Sequence, residues 1–148
     1  MSPPPSTTEV IYFDAAGRAE VTRIMLHAAG IPFTDTRIDA KDWPELKPTT
    51  PLGSIPLLKI DGIPYTQSVP QMRYAARLAD FYPSDPLEGL VIDEAMECLN
   101  ELMAEAPKGG TPEELKEKRQ AFQHGKMTQI TKLLESRIQV SGHGKGFS

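Results

Sequence analysis

The sequence is poor in the residues that form disulfides and metal sites. Its 148 residues include one cysteine, Cys98, and three histidines, His27, His124 and His143. A single cysteine forms no disulfide within the chain, and such scarcity is typical of a reducing compartment. The histidines are not spaced from one another or from the cysteine as metal ligands are. We therefore predict a cytoplasmic protein without a disulfide and without a metal.

Long apolar runs and a large excess of charge are also missing. No run approaches the ~20 apolar residues that cross a bilayer, and the opening residues MSPPPSTTE lack the basic and apolar parts of a secretion signal. The net charge of −4 argues against nucleic acid or an anionic membrane as the main partner. We predict a soluble chain that opens with a disordered lead over residues 1–8.

The first third of the chain alternates between strand-like and helical patterns. Glu9–Phe13 is β-rich, Arg18–Ala29 has apolar residues at helical spacing, and Ile31–Ile38 alternates like a second strand. Asp39–Thr50, with its prolines, is expected to be irregular or a distorted helix. This part of the chain therefore predicts a β-α-β unit.

The next stretch predicts a hairpin followed by a helix. Ile55–Ile60 and Ile63–Thr66 are the expected strands, joined by an Asp-Gly turn at positions 61 and 62. Ser68 is the expected N-cap of a helix over Val69–Phe81. The whole order, β-α-β-β-β-α, predicts an α/β domain over residues 9–82, with a small mixed sheet covered by helices.

The composition changes after an expected linker at residues 83–87. Glu88–Ala106 carries apolar residues three and four positions apart, as a helix with one buried face does. A second helix-start signal at Thr111 opens a long amphipathic helix that is weakened at Gly125. We predict an all-α region over residues 88–148.

A β-α-β start does not decide the chemistry, because thioredoxin-like folds support more than one type of reaction. Redox members place Cys-x-x-Cys after the first strand. Here that position reads Tyr12-Phe13-Asp14-Ala15-Ala16-Gly17-Arg18, without a cysteine. Thiol–disulfide exchange by the chain's own cysteine is therefore not expected. Cys98 falls on an apolar-faced helix, where packing is the simpler interpretation.

Four short segments carry a resemblance to a known family. They are Tyr12-Phe13 with Gly17-Arg18-Ala19-Glu20, Asp42-Trp43-Pro44-Glu45-Leu46-Lys47, Gly53-Ser54-Ile55-Pro56, and Gln67-Ser68 with Arg73-Tyr74. In this order the chain resembles the glutathione transferases, most closely the sigma class that includes the glutathione-dependent prostaglandin D synthases. The resemblance implies a thioredoxin-like domain that binds glutathione, then a helical domain that supplies the second-substrate pocket and much of a homodimer interface.

The resemblance assigns the catalytic role to Tyr12, whose hydroxyl would donate a hydrogen bond to the glutathione thiolate. The alternative for Tyr12 is a core aromatic on a strand. Arg18, Trp43 and Lys47 match positions that reach the thiol region and the glycyl carboxylate. Arg18 is equally open to a salt bridge with Glu20 or with Asp14.

The resemblance also covers the middle of glutathione and its γ-glutamyl end. Pro56 matches a cis-proline, and Ile55 before it would pair with the cysteinyl backbone; from the residues alone, Pro56 marks either a sheet edge or a cis bond. Gln67 and Ser68 match the pair that holds the γ-glutamyl carboxylate at a helix start.

Glu101 matches a family acid that reaches the glutathione amine of the partner subunit. It belongs to an acidic stripe with Asp93 and Glu97, four residues apart on one helix. A solvated helix face is the competing interpretation of that stripe. Ser54 departs from the family, because a lysine is usual there.

The resemblance implies an enzyme that stabilises the glutathione thiolate for attack on electrophilic small molecules, as detoxifying transferases do. Glutathione would be the co-substrate and no metal would take part; glutathione-dependent isomerisation stays open beside conjugation. The family's chains continue through further helices, so the helical domain is expected to be partial. The alternative is a non-catalytic transferase-like binding or interaction module, or an inactive truncated form.

Overall fold

The chain forms two compact units, Met1–Ser84 and Asp85–Ser148. The structure is a computed structural model, and it describes residues 5–140, with the backbone alone for Val140. The boundary between the units lies inside the expected linker at residues 83–87. The glycine-rich end at residues 141–148 lies outside the described residues. None of the helices in the described part is long and apolar enough to cross a membrane.

The first unit is built on one mixed sheet of four strands. Their bounds are Thr8–Phe13 (β1), Thr34–Ile38 (β2), Leu57–Ile60 (β3) and Ile63–Tyr65 (β4). The spatial order is β2-β1-β3-β4, with β1 parallel to β2 and the other two pairs antiparallel. This arrangement confirms the mixed sheet and the thioredoxin-like element order predicted from the sequence.

Among the described residues of this unit, three α-helices accompany that sheet. They are Glu20–Ala28 (α1), Trp43–Leu46 (α2) and Ser68–Leu78 (α3). Val10 of β1 pairs with Leu58 of β3, and both side chains are buried with Leu26 of α1 and Ala75 of α3 in one core cluster. Helices α1 and α3 therefore cover the sheet face that carries Val10 and Leu58.

The second strand starts three residues later than predicted. The backbone N–H of Ile31 donates to the carbonyl of Leu26 at 3.0 Å, so Ile31 closes the end of α1 instead of pairing in the sheet. Pro32 has no N–H to donate to a strand ladder. Strand β2 therefore begins at Thr34 rather than at Ile31.

The prediction of Ser68 as an N-cap is wrong by one residue. Gln67 is the N-cap, with φ of 69°, and Ser68 is the first residue of α3. At the other end the helix stops at Leu78 instead of Phe81, because the N–H of Phe81 turns back to the carbonyl of Ala76 at 2.8 Å. Each end depends on a residue with positive φ, Gln67 before the helix and Asp80 after it, and helical spacing does not reveal such residues.

The second unit is all-α in its described part, with a loop over residues 106–111. Its helices are Pro86–Glu105 (α4), Pro112–Phe122 (α5) and Thr128–Val140 (α6). The side chain of Asp85 caps α4, and a complete capping box at Thr111 starts α5, as its sequence predicted. A π-helical turn over Gln123–Met127 joins α5 to α6 and contains the expected weak point, Gly125.

Residues 6–8, which the sequence analysis assigned to a disordered lead, are held by the fold. The Ser6 hydroxyl and the Thr7 N–H donate to Oδ1 of Asp61 at 2.7 and 2.8 Å, and Thr8 already lies in β1. Asp61 and Gly62 have φ of 50° and 82° and form the predicted two-residue turn between β3 and β4. The hairpin turn therefore anchors the chain just before β1.

Candidate functional site

The register of the sheet brings the predicted site segments to one end. Ile11 pairs with Leu57, so Tyr12 lies one position further on, beside the Ile55–Pro56 step. The peptide bond between Ile55 and Pro56 is cis. Strand β4 ends with Tyr65 opposite Leu58, which returns the chain to the same end just before α3. The end of β1, the start of β3 and the start of α3 therefore meet there.

Tyr12 lies on β1, half-buried at the edge of the core. The backbone of Gly17 lies against its phenol ring, so closely that a Cβ at Gly17 would come within 2.8 Å of the Tyr12 hydroxyl oxygen. Gly17 has φ of 46°, a conformation that suits glycine. The loop after β1 therefore shapes the immediate surroundings of the tyrosine hydroxyl.

Arg23 holds that loop, although no sequence motif marked it as a site residue. Its side chain is only 6% exposed; Nη1 donates to the Ala15 carbonyl at 3.0 Å and to Glu20 at 3.1 Å. Its Nε donates to Asp35 of β2 at 2.9 Å. One buried guanidinium thus joins α1, β2 and the loop between Tyr12 and Gly17. Helical spacing alone gave no sign that an arginine on α1 would be buried.

Arg18 lies in the turn Gly17–Ala19, between the Tyr12 loop and α1. The two acids considered as its partners bind other arginines: Glu20 pairs with Arg23, and Asp14 with Arg37 at 3.3 Å. Arg18 is half-buried in this position.

Trp43 and Lys47 lie on the segment that follows β2. Trp43 begins α2, and its ring meets Phe13 edge to face, with centroids 5.7 Å apart. Phe13 in turn lies 5.7 Å from Tyr12, so a row of three rings connects β1 to α2. The Lys47 side chain runs past Gly53, where a Cβ would lie 3.5 Å from Lys47 Cε. The structure therefore brings Trp43 against Phe13, whose ring lies beside Tyr12, and Lys47 close to the Gly53 turn.

The start of α3 is tied to the Ile55–Pro56 step by a residue that the motif comparison passed over. Gln71 is 2% exposed, and its Nε2 donates to the carbonyls of Pro56 at 3.0 Å and Tyr65 at 2.9 Å. Ser68 is buried and Gln67 is exposed at the same helix start. The first N–H groups of α3 have no partners within the helix, and its dipole is positive there, so a carboxylate is favoured.

Glu101 lies in the second unit, on the exposed face of α4. It forms an ion pair with Lys126 of the π-helical turn, and this hydrogen bond raises the pKa of the Lys126 ammonium. Glu97, one turn earlier, accepts a hydrogen bond from Asn100. The acidic stripe thus has local partners, which the sequence analysis did not foresee because Lys126 lies 25 residues further along the chain.

A comparison with known protein families identifies the family of the first unit. Residues 8–77 match the model described as glutathione S-transferase, N-terminal domain. The first unit is a glutathione S-transferase N-terminal domain. The family resemblance and the thioredoxin-like fold expected from the sequence are confirmed.

The curated relatives of this domain include proteins named for two different activities. Hematopoietic prostaglandin D synthase of Gallus gallus is 34% identical over 110 residues, which cover 74% of this chain and 55% of that protein. Glutathione S-transferase 1 of Ascaris suum is 38% identical over 97 residues, which cover 66% of this chain and 47% of that protein. The chain therefore spans about half the length of these relatives.

Solved structures resemble this chain over most of its length. Prostaglandin synthase D of Nilaparvata lugens superposes with a TM-score of 0.84 at 28% identity, covering 92% of this chain and 70% of that one. The glutathione S-transferase of Ascaris lumbricoides gives a TM-score of 0.75 at 29% identity, with coverages of 92% and 69%. The helical region after the transferase domain is thus also of the kind found in these proteins.

Proposed function

We propose that this chain binds glutathione at the shared sheet end of its first unit and stabilises the thiolate with Tyr12. The bound thiolate would then attack electrophilic small molecules. The closeness of the Gly17 backbone to the Tyr12 hydroxyl carries the proposal. A phenol held by a fixed loop, beside the Ile55–Pro56 step and the start of α3, is a preorganised donor for a developing negative charge.

A free thiol with a pKa of about 8.5 is only a few per cent ionised at neutral pH, and the thiolate is the nucleophile. Lowering that pKa by about 2 units requires about 2.7 kcal/mol of preferential stabilisation of the thiolate. A charge-assisted hydrogen bond from Tyr12 supplies most of this amount, and the positive end of α3 adds to it.

The rest of glutathione is assigned to groups around the tyrosine. The backbone of Ile55, before Pro56, pairs with the cysteinyl unit, and Gln67 with Ser68 receives the γ-glutamyl carboxylate at the start of α3. This second assignment is supported by the buried position of Ser68 and by the unpaired N–H groups of a helix start.

The glycyl end falls to the segment after β2. Arg18, Trp43 and Lys47 are proposed to reach the thiol region and the glycyl carboxylate. The row of rings from Tyr12 through Phe13 to Trp43 supports this assignment, because it links α2 to the tyrosine.

We further propose a cytoplasmic homodimer in which Glu101 approaches the glutathione amine of the partner subunit. Detoxification by conjugation is the proposed role, and the prostaglandin D synthases among the relatives keep glutathione-dependent isomerisation as a variant of the same thiolate chemistry.

Replacing Tyr12 tests the central step. We expect Tyr12→Phe to raise the pKa of the bound thiol by most of those ~2 units and to leave the glutathione dissociation constant unchanged in acid, where the thiol is protonated in both forms, because only the thiolate gains from the hydroxyl. Ultraviolet titration of bound glutathione measures the thiolate in both forms. Tyr65→Phe, which removes another phenolic hydroxyl of the same unit, is the matched control. An unshifted titration curve in Tyr12→Phe removes the tyrosine from the mechanism.

A second candidate function is a glutathione-binding module without turnover. The placement of the proposed glutathione-binding residues favours it, since all of them except Glu101 belong to the first unit. Turnover of a general electrophile by the unmodified chain separates the two functions. Thiolate formation without any turnover supports the module and contradicts the transferase.

A further inference from the structure

The first unit contains a cavity of about 400 Å³ apart from the proposed glutathione site. It lies between the β3–β4 hairpin and α3, and the described residues that line it are Pro5, Leu58, Ile60, Asp61, Tyr65, Thr66, Pro70, Gln71 and Tyr74. None of the residues assigned to glutathione is among them. Its volume lies within the range of small-molecule sites.

The walls of the cavity are apolar and aromatic. Leu58 and Ile60 point to the same face of β3, and Pro70 belongs to the first turn of α3. Tyr65 and Tyr74 add two rings that remain 50% and 36% exposed. Rings of this kind favour a flat aromatic ligand, because they bury much area in stacked or edge-on contacts.

Gln71 provides a buried polar atom without a partner. Its Nε2 donates to two carbonyls, while its Oε1 is buried and has no hydrogen-bond partner among the described residues. A buried acceptor without a donor is costly and uncommon in folded proteins. A ligand that brings a donor to this oxygen, with the two Nε2 hydrogen bonds kept, relieves that cost.

The charge of the cavity is negative. Hydrogen bonds from the Ser6 hydroxyl and the Thr7 N–H hold the pKa of the Asp61 carboxyl below its usual value, so the group is ionised at neutral pH. Burial and the nearby charge of Asp61 raise the pKa of Tyr74, which keeps its phenol neutral. No lysine or arginine occurs among the described lining residues.

We propose that this cavity is a second ligand site, which takes a flat aromatic molecule with a cationic, hydrogen-bond-donating group. The cationic group faces Asp61 at one end of the cavity, and the aromatic body packs between the hairpin and α3 toward Gln71 at the other end. The site is independent of thiolate chemistry, so it holds whether or not the chain turns over glutathione.

Benzamidine is a suitable probe because it joins a flat ring to a cationic amidinium. With the full chain saturated with glutathione, we expect saturable benzamidine shifts in ¹H–¹⁵N spectra at Ile60, Asp61, Tyr74 and the side-chain amide of Gln71. Benzoate has the same shape and the opposite charge, and we expect it to leave those signals unchanged. Equal shifts with both probes, or benzamidine shifts spread outside the cavity, overturn the proposal.

Charge and ring variants sharpen the test. Asp61→Asn introduces a residue that also tolerates the turn's positive φ, and we expect it to weaken benzamidine binding about threefold by removing one exposed charge. Asp80→Asn is the matched control, since Asp80 has φ of 59° and lies outside the cavity. Equal weakening in both variants overturns the assignment of Asp61.

Tyr74→Leu tests the aromatic wall at a partly exposed position, and we expect a comparable loss of binding. A second copy of the chain could instead fill the cavity. If the ¹H–¹⁵N signals of Tyr65 and Tyr74 change with protein concentration but not with benzamidine, a second copy occupies the cavity and the proposal is overturned.

Discussion

Gly17 decides how close the chain comes to the tyrosine hydroxyl. Its φ of 46° lies in the left-handed region, and the site of a Cβ is 2.8 Å from both Cε1 and the hydroxyl oxygen of Tyr12. Real Cβ atoms do not approach other heavy atoms so closely, so any side chain at this position displaces the phenol or the loop. Glycine is therefore required here by space as well as by backbone conformation.

Gly17→Ala should disturb the chemistry as well as the fold. We expect a loss of about 1–2 kcal/mol in the free energy of unfolding from the positive φ, and a raised pKa of bound glutathione because the phenol is displaced. Chemical denaturation and ultraviolet titration measure the two effects. Gly30→Ala is the control: Gly30 has φ of 65° with nothing within 4 Å of its Cβ site, so it carries the backbone cost alone. A raised thiol pKa in both variants contradicts the role given to Gly17.

At the scale of elements, two arginines join segments that are far apart in the chain. Arg23 is buried, and Arg137 forms a bidentate pair. Arg23 connects α1 to β2 and to the Tyr12 loop, as described above. In the second unit, Arg137 of α6 donates both Nε and Nη2 to Glu94 of α4, the latter at 2.9 Å. Such forked pairs fix the relative position of two elements better than a single contact does.

The Glu94–Arg137 pair makes the stability of the second unit dependent on pH. The hydrogen bond from Arg137 lowers the pKa of Glu94 below its value of about 4.5 in an unfolded chain. Its stabilisation is therefore fully present above the unfolded pKa and disappears as pH falls through the folded pKa.

We expect Glu94→Gln to speed hydrogen exchange in α4 and α6 at neutral pH, with the difference from the parent chain vanishing in acid. Its effect should be smaller than that of Ile130→Ala, which empties a buried position and costs about 2–5 kcal/mol. Glu97→Gln on the same helix is the matched control. A difference that persists unchanged into acid contradicts the pairing.

At the scale of the whole molecule, the second unit leaves many apolar side chains exposed. Leu87, Leu90, Leu99 and Ile138 are each at least half exposed. Exposed apolar patches on soluble proteins mark interaction surfaces. This surface supports the proposed homodimer, in which Glu101 serves the partner's glutathione.

Glu101→Gln tests the assembly. We expect about a tenfold weaker glutathione affinity from the loss of one charged hydrogen bond. In mixed dimers with the mutation in one subunit, calorimetry should find one weakened site of the pair. Lys126→Met is the control, since it removes the local partner of Glu101 and keeps the acid. Equal effects of both variants on binding would mean that Glu101 acts only as the partner of Lys126.

The sequence by itself determined the features that depend on near neighbours. The Asp-Gly turn at 61 and 62, the capping box at Thr111 and the order of strands and helices follow from signals that span a few residues. The segments around Tyr12, Trp43, Pro56 and Gln67 were likewise enough to identify the family, because their order along the chain is specific.

Only the tertiary structure decided the features whose partners lie far along the chain. The burial of Arg23 depends on Asp35 across the sheet, and that of Gln71 depends on the carbonyls of Pro56 and Tyr65. Local spacing shows which positions share a helix face, but a polar residue is buried only where distant atoms satisfy it. The Tyr12–Gly17 contact and the cavity beside α3 depend on such distances, so no pattern of residue types reveals them.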